Sequence, residues 1–478
     1  MGVALLALAL GVVFSRVPFA SQLLWAWDSV LYARALENGF HVDFVLSDQR
    51  PHPPGYILYV AVAALARAVL RDTNLALVLV SIVAAAFAAI GVFALARRFA
   101  SPTAALLSAC AFAASPLVWL YSEVAYPYTV LACVAVFGAG ALWSMRSGDA
   151  RRAIATSAAF GLLVGFRQDL LLLLAPLWIW AVWPFRPTVR LASAAAAAIG
   201  VTIWLAPTVV LSGGIDDYIT ALVQQADSVR LSYSTTENGM PALATNLATT
   251  AYALAWGLAV AALPLAVASV LWLRPRKRVS ARAAFFVLWV APALLFYVAV
   301  HIGEWGYVLS IVPAGFVALA IALDRFRAGF PQRAGAALTV VATAASVLAF
   351  AFAPLPFSAT TIAAHDRALA SRVSYVRENF SPRETGVLAR EDYLLVQHYL
   401  PEFRVMFHDP DPYVPVKRNV RARGITALVV FTSGLSPNAD VQIRRIRCAR
   451  DVEITYVPIP ADAVLVFTGN RYAIRVGD

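Results

Sequence analysis

NLALVLVSIVAAAFAAIGVFALA, residues 74–96, is an apolar run without one charged side chain, and Arg97 and Arg98 close it. A helix rises about 1.5 Å per residue, so this run clears the roughly 30 Å hydrocarbon core of a bilayer. The same pattern recurs along the chain. Apolar runs occupy residues 2–20, 55–71, 74–96, 102–122, 126–145, 153–167, 169–185, 189–211, 247–273, 283–301, 306–323 and 333–354. Of the 478 residues, 61% are hydrophobic and 14% charged. A soluble domain sits nearer 45–50% and about 25%. That gap excludes an ordinary globular enzyme, a coiled coil and a disordered chain. The sequence reads as an α-helical polytopic membrane protein.

The formal net charge is +11, and Lys277 and Lys417 are the only lysines. The arginines cluster in short loops between apolar runs: Arg97 with Arg98, Arg146 with Arg151 and Arg152, Arg186 with Arg190, Arg274 through Arg282, and Arg325, Arg327 with Arg333. This is how cytoplasmic loops look under the positive-inside rule. No basic face with interleaved aromatics is present, so nucleic acid is not an expected partner. Cys110, Cys133 and Cys448 form no metal or redox spacing.

Placing those loops in the cytoplasm puts segments 21–73, 123–126, 167–169, 212–246, 301–305 and 355–478 on the other side. Twelve crossings break the parity when the N-terminus is inside. Run 55–71 is the one that fails to cross: it follows Pro51-His52-Pro53-Pro54 and carries Arg67 and Arg71. It reads as an amphipathic juxtamembrane helix along the outer surface. Eleven spans then remain, with residues 1–354 as a transmembrane domain whose large outer loops are 21–73 and 212–246. The first run has no positive n-region and no clear cleavage site, so it reads as an anchor. Of fourteen acids before residue 355, all but Asp149 and Asp324 fall on the outer face. Acids do not set topology, so the skew needs another cause, and a polar reaction centre at the outer surface is one.

After Pro354 the composition changes: residues 355–478 hold 16 of the 38 Lys+Arg and 13 of the 27 Asp+Glu. Strands are expected at 385–390, 403–407, 426–432, 453–457, 463–468 and 472–476, and helices at 363–379 and 391–400. That alternation describes a small extracytoplasmic α/β domain. Gly424 and Gly434 read as turn glycines, and no phosphate-binding glycine loop is present. A lid or docking platform is the plain reading.

The first outer loop opens Trp25-Ala26-Trp27-Asp28-Ser29. Asp28 is either a helix N-cap or a carboxylate held at a low-dielectric boundary as a general base. The loop ends Arg50-Pro51-His52-Pro53-Pro54-Gly55-Tyr56, where the prolines suit a helix start and His52 faces the compartment of Asp28. Two short turns add Glu123 and Tyr126, then Arg167, Gln168 and Asp169. Arg167 beside Asp169 is either a structural ion pair or a bidentate phosphate ligand. The last turn packs His301, Glu304, Trp305 and Tyr307 together, a mixture that suits a sugar ring. A divalent metal on Asp28, Glu123 and Glu304 is conceivable, although no ligand spacing supports it.

These residues resemble the polytopic GT-C class of glycosyltransferases. The likeness is to bacterial relatives of the protein O-mannosyltransferases and of the lipid A aminoarabinose transferase. It rests on Trp27-Asp28-Ser29, on His52-Pro53-Pro54-Gly55-Tyr56, on Gly165-Phe166-Arg167-Gln168-Asp169, and on Gly306-Tyr307 followed by Pro313, and it covers roughly residues 1–355. Seven spans before loop 212–246 match the seven-helix module of that class. The resemblance implies a polyprenyl-phosphate-linked sugar as donor and Asp28 as the acid of the first loop. The protein mannosyltransferases carry Asp-Glu there, whereas Ser29 follows Asp28 here, and their inserted sugar-recognition domain has no counterpart.

The expected function is transfer of a sugar from a lipid-phosphate donor to a hydroxyl of a glycan, lipid or protein, at the outer face of the inner (plasma) membrane. Asp28 would take the hydroxyl proton, Arg167 and His52 would hold the leaving phosphate, and Glu123, Tyr126, Gln168, Asp169, His301, Glu304, Trp305 and Tyr307 would bind substrate. The alternative is a transporter or lipid flippase, which calls for similar halves and midplane charges; a scaffold protein is a third. In a variant without native cysteines, Arg230→Cys and Asp440→Cys are expected to react with an impermeant thiol reagent in intact cells. Protection of both would refute the topology.

Overall fold

The structure is a computed structural model that describes residues 2–271, 280–325, 332–407, 417–421, 424–431, 436–438, 441–460, 463–468 and 471–476. The loop cations Arg274, Arg276, Lys277, Arg278 and Arg327, and the turn residue Gly434, lie outside the described residues. Two compact units emerge. One comprises Met1–Gln22 with Tyr32–Ile362, and the other Leu23–Leu31 with Ala363–Asp478.

In the first unit the apolar runs fold as helices, but fewer are whole spans than their lengths suggest. Six described helices are long and apolar enough to cross a bilayer: Gly2–Phe19, Thr73–Ala96, Tyr128–Met145, Pro187–Leu211, Ala281–Ala299 and Arg333–Phe352. Two runs fold as bent pairs, Pro102–Ala113 with Pro116–Ser122 at 61° and Thr235–Gly257 with Ala259–Ala266 at 86°. Apolar helices Ile57–Leu70, Asp169–Val182 and Val312–Asp324 are shorter. Length and composition thus allow up to eight crossings among the described residues. The expectation of eleven stands higher because runs 153–167, 169–185 and 306–323 fold with helices of 14 residues each, Ala150–Leu163, Asp169–Val182 and Val312–Arg325.

The stops have local causes. Proline lacks the N–H that would continue a helix, and Pro116 restarts one after Ser115. Broken backbone in an apolar surround needs new partners. The Ser115 hydroxyl supplies one by donating to the Gly257 carbonyl at 2.7 Å, so one break caps the other. Helix starts are conventionally capped: Asp72 accepts from the Leu75 N–H at 2.7 Å and Asp149 from that of Arg152 at 2.8 Å.

Helix Ile57–Leu70 has 14 residues, about 21 Å of rise, too little to cross. Val62, Leu65 and Val69 are exposed on it, while the Arg67 guanidinium turns away to the Leu36 carbonyl and the Thr73 hydroxyl. Its shortness fits the expectation that this run does not cross. Residues 212–246 hold the helix Ile215–Tyr233 and the start of Thr235–Gly257. Ile215, Ile219 and Val223 form an exposed apolar stripe on the former, the pattern of a helix lying at an interface.

In the C-terminal unit the strands are β1 (Thr385–Ala389), β2 (Arg404–Phe407), β3 (Lys417–Arg421), β4 (Ala427–Val430), β5 (Ser436–Pro437), β6 (Arg444–Ala449), β7 (Val452–Pro458), β8 (Ala463–Thr468) and β9 (Arg471–Val476). One sheet runs β2-β1-β4-β7-β6 and the other β3-β8-β9-β5. Strands β1, β2 and β4 are parallel, and β7 returns antiparallel to β4. Leu388, Leu428, Val430, Val457 and Leu465 form the core shared by both sheets. Helices Ala359–Asn379 and Tyr393–Tyr399 accompany them. All six expected strands are present. The additional strands β3 and β6 are rich in arginine, as edge strands often are, and so lack the apolar alternation that betrays a strand.

Helices Ala150–Leu163 and Pro187–Leu211 pack backbone to backbone through glycine. A Cβ on Gly161 would strike the Ala197 carbonyl, and one on Gly200 the Ala158 carbonyl. Gly161→Leu is expected to destabilise by about 1–3 kcal/mol or more, seen as a lowered Tm in detergent. Gly11→Leu, where a Cβ meets nothing within 4 Å, serves as the neutral comparison.

Candidate active site

Arg167 sits where helix Ala150–Leu163 runs out through a 3-10 turn, Val164–Phe166, and the next helix begins at Asp169. The turn is tight because Gly165 lies against the Trp204 ring, where a Cβ would collide. Arg167 is only 3% exposed. Its Nε donates to Asp169 Oδ2 at 3.1 Å. Three tyrosine rings surround the guanidinium carbon: Tyr307 at 4.5 Å, Tyr128 at 4.8 Å and Tyr56 at 5.7 Å. Among the described residues, the side-chain hydrogen bonds of Arg167 leave from Nε alone. Its two terminal NH₂ groups lie among aromatic faces, with donors to spare. Burial works against its charge, and Asp169 together with Tyr56, Tyr128 and Tyr307 outweighs that, so its pKa stands above the ordinary guanidinium value.

The rings are placed by distant parts of the chain. Tyr56 follows Gly55 and starts helix Ile57–Leu70 from a left-handed conformation, with φ of 52°. Tyr128 opens its helix and stacks on Tyr126 at 5.0 Å. Tyr307 belongs to the 3-10 segment Trp305–Ser310, whose Gly306 abuts the Tyr128 ring so closely that no Cβ fits. The Tyr297 hydroxyl donates to the Tyr307 carbonyl at 2.8 Å. Behind them the Tyr121 hydroxyl reaches Glu304 Oε2 at 3.5 Å and accepts the Gly306 N–H at 3.2 Å.

The other expected residues fall into one cluster and three separate positions. His52 packs edge-on against Tyr56 at 5.4 Å, one ring removed from Arg167, and its Nδ1 lies 2.6 Å from the Pro53 carbonyl. His301 lies between Tyr233 and Tyr307, at 4.8 and 5.8 Å. Gln168 has both amide atoms shielded from solvent without a protein partner. These join Tyr126, Asp169, Glu304 and Tyr307 around Arg167. Glu123 has a different setting: it is buried, accepts from the Trp119 indole at 2.5 Å, and shares its surroundings with Arg16, which donates to Ser122 and stacks over Trp119. Burial raises its carboxyl pKa, against the pull of Arg16 and Trp119. Trp305 is exposed and packs with Phe357 and Tyr252. Asp28, finally, belongs to the C-terminal unit, in the first turn of helix Trp27–Asn38. It is the second residue of that helix.

Among the described residues, no three His, Cys, Asp or Glu side chains are gathered so as to hold a metal ion.

No protein-family model and no curated protein sequence matches the chain. Among solved structures, ArnT from Cupriavidus metallidurans bound to undecaprenyl phosphate aligns over 95% of this chain and 97% of its own, with a TM-score of 0.61 at 14% identity. The apo state of the same protein gives 0.58 at 14% identity over 96% and 98%. This chain has the GT-C fold. The oligosaccharyltransferase of Archaeoglobus fulgidus aligns over 89% of this chain and 67% of its own, with a TM-score of 0.49 at 13% identity.

The GT-C fold gives the tyrosine cage its frame, and three of its residues escaped the sequence reading. Tyr56 follows Pro53-Pro54-Gly55 and Tyr128 lies two residues after Tyr126, but nothing in their spacing says that they converge on one guanidinium. Tyr121 lies within an apolar run, where it looks like core.

His301 carries a pH signature. Burial first, and then Arg167, push its pKa down to about 4, so it is neutral at pH 7. Unfolding exposes a group that binds protons below about 6.5. Its contribution is therefore complete above that value and is lost as pH falls toward 4. Between pH 7.5 and 5.0 the wild-type Tm is expected to drop more than that of His301→Gln. Equal drops would remove His301 as the cause.

Proposed function

We propose that this membrane protein transfers a sugar from a polyprenyl-phosphate-linked donor to an acceptor hydroxyl at the extracytoplasmic face. One observation carries the reading: Arg167, buried and already neutralised by Asp169, keeps its terminal NH₂ groups for a further oxyanion inside a cage of tyrosines. An apolar groove of about 730 Å³ supports a lipid donor. Leu65, Val83, Phe87, Cys133 and Phe137 line it together with Phe166, the residue before Arg167. A prenyl chain suits such a groove, and a phosphate suits the guanidinium fork. The fold agrees, since the ArnT structure of that fold holds undecaprenyl phosphate.

In this reading the acceptor oxygen attacks the anomeric carbon, its proton passes to the Asp28 carboxylate, and the bond from that carbon to the phosphate oxygen breaks. Polyprenyl phosphate leaves with its charge held by Arg167, and His52 lies at the edge of that pocket. Neutral His301 and the Gln168 amide offer hydrogen bonds to sugar hydroxyls without adding charge, and the tyrosine faces receive the apolar face of the ring. The donor carries its own activation, so no nucleotide site is required. The N-terminus lies in the cytoplasm, and the domain 355–478 lies outside.

The test uses purified protein in nanodiscs with a panel of radiolabelled polyprenyl-phosphate sugars and a cell-envelope extract of glycans, lipids and proteins as acceptors, following release of polyprenyl phosphate. Asp28→Asn is expected to lower kcat by about 10²–10⁴. Arg167→Gln is expected to lower it by about 10²–10³. Glu37→Gln should change little, because Glu37 only accepts a hydrogen bond from Thr73. If Asp28→Asn matches wild type on a donor that wild type consumes, the base is another group. If no donor of the panel is consumed, lipid-linked transfer is refuted for those sugars.

A further inference from the structure

The C-terminal α/β unit includes a piece of the N-terminal chain, Leu23–Leu31. Three successive anchors tie that piece down. The Leu24 N–H donates to the Tyr399 hydroxyl at 2.8 Å. The Trp25 ring lies 4.5 Å from His365 on helix Ala359–Asn379. The Trp27 ring lies 5.4 Å from Phe407, at the end of β2, and 6.2 Å from Tyr393, which opens helix Tyr393–Tyr399. Tyr393 and Phe407 are themselves 4.9 Å apart, so the three rings close on one another. The next residue is Asp28.

We propose that the C-terminal unit is part of the catalytic apparatus, with Trp27 as a positioning residue that holds Asp28 through the Tyr393–Phe407 cage. The inference rests on the reading of Asp28 as general base. Its physical ground is that a base works only when fixed to within about half an ångström and 10–20°. Nine residues of chain have no core of their own. Residues 24, 25 and 27 take their fixed positions from aromatic packing and a hydrogen bond on the α/β unit. Asp28 follows Trp27 in the first turn of its helix, where the Ala26 N–H donates to the Ser29 hydroxyl at 3.3 Å. Loss of the Trp27 packing would therefore free the backbone of the helix start from which Asp28 projects. This gives the water-facing unit a task other than covering or docking.

The experiment measures kcat and KM for the donor that wild type consumes, in Trp27→Ala, Trp27→Phe, Tyr393→Ala, Asp28→Asn and the double variant Trp27→Ala/Asp28→Asn. A displacement of the order of 1 Å can cost about 10²-fold in rate. Trp27→Ala and Tyr393→Ala are expected to lose up to that factor in kcat with KM little changed, and Trp27→Phe to recover most of it. The double variant is expected to be no slower than Asp28→Asn, because a misplaced base and a missing base are equivalent. Losses that multiply in the double variant, or a kcat for Trp27→Ala equal to wild type, would overturn the proposal while leaving Asp28 as base. Wild-type turnover by Asp28→Asn would overturn the base itself, and is read from that variant alone. Should Trp27→Ala fail to fold, Trp27→Cys/Tyr393→Cys in a cysteine-free chain provides the second test. A short bis-thiol reagent is expected to join the two segments, and failure to join them would refute the cage.

Discussion

A guanidinium cannot be buried unless its charge is answered, and the way Arg167 is answered determines the candidate site. A single carboxylate on the same turn, Asp169, compensates the charge from one side of the fork. Tyrosine faces fill the remaining surroundings. Rings attract a cation without using up its N–H donors. The result is a desolvated cation with directional donors still in hand, which is what an oxyanion requires. Had the surrounding groups been backbone carbonyls, the same arginine would be satisfied and inert. Arg16 illustrates that second solution: it donates to the Ala113 carbonyl and to the hydroxyls of Ser15 and Ser122, and it has Glu123 nearby. Two buried arginines in one unit thus differ in chemistry because their partners differ.

The cage depends in turn on helices that stop short. Tyr56, Tyr128, Arg167 and Tyr307 all lie at or beside helix ends, where a side chain can point along the axis of the bundle. Uninterrupted spans would carry these residues around the flanks toward lipid. Broken helices expose carbonyls, and those need partners at a depth where water is scarce. The hydrogen bond from Ser115 to Gly257 meets that need at two breaks at once. Glycine meets the steric half of the requirement at Gly306, where absence of a side chain lets the 3-10 segment rest on the Tyr128 ring.

Much of this was legible in the sequence, and the limits follow from physics. Uncharged runs such as residues 74–96 announce helices because the bilayer leaves no other way to satisfy a backbone. The count of spans ran high at runs 153–167, 169–185 and 306–323, whose helices are only 14 residues long, since hydropathy does not register where hydrogen bonding stops. Strands such as β1 and β4 were visible as short apolar clusters, whereas β6, with Arg444, Arg445 and Arg447, carries the composition of a loop. Arg167, Gln168 and Asp169 were readable as a cluster because they are adjacent. The convergence of Tyr56, Tyr128 and Tyr307 was not, because it is set by packing between helices far apart in the chain. The sequence also could not show that Leu23–Leu31 belongs with residues 363–478, since nothing local in Trp25-Ala26-Trp27 names its aromatic partners.

That last point bears on how the chemistry is divided. The proposed leaving-group site is made by helix ends of the membrane unit, while the proposed base rides on a segment packed into an α/β unit. The two tasks have different physical needs. A lipid phosphate arrives with its chain in hydrocarbon, so its receptor belongs among apolar helices with an apolar groove alongside. An acceptor hydroxyl and its departing proton belong to the aqueous side, where a carboxylate can exchange protons with water after each turnover. A β-sheet core with aromatic clamps holds such a carboxylate firmly without burying it, and Asp28 is accordingly neither fully buried nor fully exposed.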